Sequence, residues 1–435
     1  MLHPPRGRGR RRHLALALAV AGAVVSATTT RVAAEPKRPI PEYDGRAEGT
    51  TAGDVALWAP RVLLAPAWVA HWFGVRAPIR ALILIVDRPA AAETGPRWPG
   101  SERTSFRPLL EVDYGFAPRF GFATSFDRGG TPLRLHAEAG TAGFAMGAAQ
   151  TVDVARGRAF LEAHGFVDRR DDAIFHGLGP RSRPEDRRRI GVEKGEAAVA
   201  AVMAPTPHFD LVTAIGVRGG TVRGGGPEFE DWLLFVQRIR VGLDSRRPIV
   251  EPVLRPTPRW TDGVRVELEA EHASMAPRAG SWITWGARAF ATIDVTGERR
   301  ILELGATMRF LSPLRTGGDD VPLLERVALG GDGPLRGHLA GRLYGDSALV
   351  ATARWRWPIW VWLDGFLEAE AGNVYGRALE GLRPGSLRLS TMTGIRNHGL
   401  SPYRFEIAVG GATEPIDEGA RPSSLRLLVT AWRPL

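Results

Sequence analysis

Residues able to do chemistry are sparse in this 435-residue chain and badly spaced for it. Ten histidines are present, and His136, His164, His176, His208, His272 and His398 stand far apart, with no HExxH pair to hold a metal on one helix face. The chain has no cysteine, which excludes disulfides, thiolate ligands and a lipid anchor on sulfur. Glycine runs at Gly219-Gly220 and Gly224 to Gly226 lack the Gly-Lys-Ser/Thr of a phosphate-cradling loop. The expectation is no catalytic residue, no metal site and no cofactor, hence no enzyme. The rival is a hydrolase whose residues meet only in the folded state. The charges fit ion pairing better. Arg238 and Arg240 share one strand parity, as do Glu267, Glu269 and Glu271, and adjacent strands would pair them as a network. Arg181, Arg183 and Arg187 to Arg189 read as a solvated loop. One stretch stands apart: Leu335-Arg336-Gly337-His338 in a Gly-rich loop, with Glu368 and Glu370 about thirty residues on.

The elements that must carry these residues are strands. Val264, Val266, Leu268 and Ala270 oppose Arg265, Glu267, Glu269 and Glu271. Leu302, Leu304, Ala306 and Met308 oppose Glu303, Thr307 and Arg309. In 349–357 Leu349, Ala351, Ala353, Trp355 and Trp357 oppose Thr352, Arg354 and Arg356, and a tight turn is expected at Trp357-Pro358-Ile359-Trp360. After it Leu363, Leu367, Ala369 and Ala371 oppose Asp364, Glu368 and Glu370. About sixteen such strands follow residue 104, eleven of them before the Arg336 loop, an even count as membrane barrels require. Short connections near Gly129, Ala155, 205–207, Gly297, Pro358 and 400–402 alternate with long ones at 170–187, 219–231, 314–346, 375–385 and 413–422. Segment 245–261 breaks this rule by being long. The fold class is therefore all-β: a transmembrane antiparallel barrel over 104–435, since a soluble sandwich would bury larger residues behind its polar face.

The start of the chain reads as export machinery. Arg6, Arg8, Arg10, Arg11 and Arg12 precede the apolar run Leu14 to Ala27, and small residues at Val32-Ala33-Ala34 suit cleavage, which makes 1–34 a signal peptide. Much of the +10 net charge lies there, so no nucleic-acid partner follows from it. Residues 35–103 read as a periplasmic segment, polar at first and then, over 54–86, broken by Pro60, Pro66 and Pro78 into short amphipathic helices. Localisation in the outer membrane of a Gram-negative cell follows.

The Leu335–His338 loop and the later strand Leu367 to Tyr375 resemble the BamA/TamA superfamily of outer-membrane assembly barrels, the bacterial surface antigen family. Its members carry a [VL]RG[FY] tip on the loop between the eleventh and twelfth of sixteen strands, then an F-x-D-A-G-like strand. Here His338 replaces the aromatic and Glu370 the aspartate. The resemblance implies a loop folded inward as a plug, with the Arg336 guanidinium on Glu370, or on Glu368, of strand thirteen. It implies insertion or translocation of proteins or lipids, with the bilayer and client outer-membrane proteins as partners and a monomer as the working form. The POTRA pattern usual in the family is not found before the strands. A plugged channel or structural barrel is the alternative.

Overall fold

The computed structural model describes residues 103–432, except 128–130, 156–157, 207, 225, 227–228, 247, 250–258, 261, 277–279, 297–299, 315–320, 361–362 and 398–403. The leader at 1–34 and the periplasmic segment up to residue 102 lie outside the described residues. Twenty strands follow in order. They are β1 (Arg103–Asp113), β2 (Arg119–Asp127), β3 (Leu133–Gly140), β4 (Gly143–Asp153), β5 (Ala159–Phe175), β6 (Arg188–Thr206) and β7 (Phe209–Arg223). Next come β8 (Trp232–Asp244), β9 (Pro248–Ile249), β10 (Arg259–Trp260), β11 (Gly263–Ala276), β12 (Ser281–Asp294) and β13 (Ile301–Pro313). The last are β14 (Val327–Leu329), β15 (Leu343–Gly345), β16 (Ser347–Trp360), β17 (Leu363–Tyr375), β18 (Arg388–Asn397), β19 (Arg404–Thr413) and β20 (Pro422–Trp432). Sixteen of them close into one antiparallel barrel, β9 with β10 and β14 with β15 forming separate two-stranded ladders.

Alternation sets the two surfaces. Phe120, Leu268, Leu304, Leu367 and Leu427 stand exposed on the outside, while their neighbours Arg119, Glu267, Glu303, Glu368 and Arg426 face the lumen and pair there. Ladders between neighbouring strands satisfy the backbone away from water, and an apolar outside around a charged inside is the inverse of a soluble barrel. The fold is that of outer-membrane β-barrels.

Several connections differ from the sequence reading, each for a local reason. The turn expected at Trp357–Trp360 is not found there: β16 runs on to Trp360, absorbing Pro358 through a register shift. Gly219 and Gly220 belong to β7 and not to a loop: a Cβ on Gly220 would lie 2.5 Å from the Trp232 ring, so the glycine makes room for it inside the wall. β5 and β6 run longer than expected, with a register shift between Arg170 and Ala173. The anomalous 245–261 connection carries the small β9–β10 ladder.

Barrel closure is uneven. β1 pairs with β2 over Arg103–Glu111, and β20 pairs with β19 along almost its whole length. The ladder joining β1 to β20 covers only Leu110–Asp113 against Leu428–Ala431. Tyr114 N–H donates to Leu427 O at 2.9 Å just past it, so among the described residues Arg103–Leu109 and Pro422–Arg426 fall outside the pairing, on opposite sides of a staggered seam.

Candidate functional site

Between the eleventh and twelfth barrel strands, the described part of the loop, 321–346, is a hairpin standing inside the barrel. Its stem is the β14–β15 ladder, Val327 opposite Gly345 and Leu329 opposite Leu343. Gly330 and Gly331, at φ 97° and 65°, turn the chain into a compact head, where Gly331 N–H donates to His338 O at 2.9 Å and His338 N–H to Leu335 O at 2.9 Å. Leu335 itself takes φ 63°, a costly conformation for a side chain with a Cβ, and its burial holds it there. Val327, Leu329, Leu335 and Leu343 pack on lumen-facing Leu234, Val236, Trp282, Leu311, Val350 and Val374. At about 1.5–3 kcal/mol per fully buried aliphatic side chain, this apolar contact is what seats the plug.

The tip is held by its main chain as much as by its charge. Arg336 N–H donates to Glu370 Oε2 at 2.7 Å, and Gly337 N–H to Ser390 Oγ at 2.8 Å. Ser424 Oγ donates to Gly337 O at 2.7 Å. A Cβ on Gly337 would meet Gly411 O at 2.2 Å, so the tip lies flat on the wall at β19. The guanidinium does not bind Glu370, contrary to the expectation. It donates to Glu406 on β19 at 2.5 Å and stands 4.0 Å from Glu368, which is taken by Arg354. Glu370 is filled by the tip's backbone and by Thr352 and Ser390, leaving the fork to reach further round the ring.

At the long-loop end a second cluster closes the mouth. Arg342 of the plug donates to Ser182 Oγ at 2.6 Å and to Glu414 at 2.9 Å, and Arg388 donates to Glu414 at 2.5 Å and to Ser182 O at 2.9 Å. Loop 176–187 is thereby drawn over the plug. His338 is fully buried beside this pair, with neither ring nitrogen bonded, and so fills an aromatic's place as a neutral ring. Burial, then Arg388 and Arg342, push its pKa well below the ordinary imidazole value. His176 is lowered to about 4, by burial first and then by Arg342 and Arg187.

One guanidinium joins the plug to the seam. Arg426, on the last strand and 2% exposed, donates to both carboxylate oxygens of Asp113 on the first strand, at 2.9 and 2.7 Å. Its remaining nitrogen donates to the plug carbonyls of Gly331 at 2.5 Å and Arg336 at 3.0 Å.

With this geometry the chain resembles solved outer-membrane barrels in fold. It aligns with BamA from Haemophilus ducreyi lacking POTRA domains 1-3 at 11% identity and TM-score 0.53, over 75% of this chain and 70% of that one. CdiB from Acinetobacter baumannii gives 9% identity and TM-score 0.48, over 75% and 59%. OprD from Pseudomonas aeruginosa gives 11% and 0.34, over 76% and 94%. No protein-family model and no curated protein sequence matches.

Beside the plug lies a chamber of about 1150 Å³, walled by β1 to β8, β11 to β13 and β20. The lumen charges expected there regroup. Arg238 bonds Glu271 as well as Glu196, and Arg218 joins Glu271 to plug residue Glu325. Arg240 does not pair with Glu269, its cross-strand neighbour: Arg240 comes within 4.0 Å of Asp210, Glu269 binds Arg309 at 2.7 Å, and Glu267 binds Arg265 on its own strand. Long arginine side chains choose along the row across the lumen, not only the adjacent strand. The sequence assigns no site role to Glu196, Arg218, Glu406 and Arg426. Their inward parity was legible, but their partners come from distant strands. Among the described residues no group of three or more histidines and carboxylates could hold a metal.

Proposed function

We propose that the protein is exported, resides in the outer membrane and inserts or translocates proteins or lipids there, working at the seam between β1 and β20. The observation that carries this reading is the four-residue ladder at the seam, against nearly complete ladders on either side of it. A strand edge that is only partly paired inside a bilayer is a template for another strand, because its backbone groups find no water there. The plug, tied to β7 and to β17 through β20, keeps the lumen shut while the seam works. Depletion of the protein followed by outer-membrane proteomics tests the reading: loss of several integral barrels or of lipid asymmetry is expected, and an unchanged outer membrane would sink it.

A plugged channel is the second reading, favoured by the charged chamber beside the plug. Its sign would be steady ion conductance through the purified barrel in planar bilayers, together with an unaltered outer-membrane proteome after depletion.

A further inference from the structure

We propose that Arg426 is a latch that makes the plug and the seam open together. The inference rests on the seam reading above, and it adds a positioning residue that controls that seam. Arg426 sits on β20, where its Nε and Nη2 grip Asp113 of β1 side-on, two parallel bonds across the gap the ladder barely closes. The same planar group points its Nη1 at Gly331 O and Arg336 O, the two carbonyls that flank the plug's head, and Nη2 lies 3.4 Å from Asp332. A guanidinium has five donors in one rigid plane, so it cannot release Asp113 by rotating without also leaving the plug carbonyls. Buried at 2% exposure, it finds no water to replace any of these partners. Separation of β1 from β20 therefore draws Arg426 off the plug, and withdrawal of the plug removes the acceptors that hold Arg426 against Asp113.

The test uses the purified full-length barrel and needs no client. Plug release is read as the frequency of open events in planar bilayers, and seam strength as the midpoint of heat-modifiability on gels. Asp113 touches the latch from the seam side. Asp113→Asn is nonetheless expected to raise opening frequency about tenfold, the size of one lost charged hydrogen bond. The chain lacks cysteine, so Val112→Cys with Val429→Cys, facing positions in the seam ladder, gives a clean disulfide lock. That lock is expected to return the Asp113→Asn barrel to the closed frequency. It should also lower the openings of Arg336→Ala, since a plug that has lost Glu406 is still held through Gly331 O and Arg336 O to an Arg426 fixed at the closed seam. Arg426→Lys keeps the charge but loses the fork, so it should hold the gel midpoint near wild type and still open often. An opening frequency unmoved by Asp113→Asn, or unmoved by the lock, overturns the latch. So does full recovery of both readouts by lysine, which would reduce Arg426 to a buried charge. A latch that passes alongside an unaltered outer-membrane proteome would leave the coupling intact and remove the assembly reading.

Discussion

At the tip of the plug, position decides more than charge. Gly337 has no room for a methyl group, since its Cβ would sit 2.2 Å from Gly411 O. Gly337→Ala must therefore lift the tip off β19 and break its bonds to Ser390 and Ser424, and a lowered gel midpoint with more frequent channel openings is expected. Arg336 contributes differently. Its guanidinium binds Glu406, whereas Glu370 binds its backbone N–H, which survives any side-chain substitution. Arg336→Ala should cost on the order of 2 kcal/mol, the value of a charge-assisted bond. In a double-mutant cycle it should couple to Glu406→Ala by about 1–2 kcal/mol and add simply with Glu370→Ala. Coupling to Glu370 instead would place the fork on the wrong acceptor. The spacing of the two motifs pointed to strand thirteen, and parity turned Glu370 inward. Neither could show that the carboxylate there is already filled by main-chain and hydroxyl donors.

At the scale of elements, three loops converge on Glu414: the plug through Arg342, loop 176–187 through Ser182, and 414–421 itself, with Arg388 at the top of β18. His176 and His338 are buried here beside Arg342, with Arg187 also acting on His176 and Arg388 on His338, and with Glu414 and Asp186 opposing on the His176 side. His176 has a folded pKa of about 4 against an ordinary 6.5, so between those values the undocked loop takes up a proton that the docked loop refuses. Docking therefore weakens as the pH falls through that window, and His338 acts in the same sense. Glu325, raised by burial, acts in the opposite sense, so the slope is assigned by substitution. Channel openings should rise from pH 7 to pH 4.5 by more in the native protein than in His176→Asn/His338→Phe; equal rises would clear the imidazoles of the effect. Where these loops begin was readable from turn residues for 314–346, which starts and ends as expected. It was misread at Gly219-Gly220, because a glycine that makes room for a ring and a glycine that turns the chain look alike in one dimension.

Across the whole molecule, strand number, the place of the plug loop and the face of each charge were legible, because a period of two is imposed by the backbone itself. The apolar lumen patch under the plug was not. Leu234, Val236, Trp282 and Val350 face inward, and by type alone they are indistinguishable from lipid-facing residues. The sidedness is open to a direct test in the middle of β11 and on its neighbour β12. Leu268 is 53% exposed on the outer face, while Thr284 faces the chamber directly across from Glu271. An arginine at Leu268 would meet hydrocarbon, at a cost of about 2–4 kcal/mol near the midplane. An arginine at Thr284 would enter the polar chamber rather than hydrocarbon, and although Glu271 is already shared by Arg218 and Arg238, it should cost far less than one at Leu268. Leu268→Arg is therefore expected to deplete the heat-modifiable band from the outer-membrane fraction, and Thr284→Arg to leave it in place. Were the barrel a soluble one, the order would reverse: Leu268→Arg would be an innocuous surface change, and the protein would be recovered in the soluble fraction.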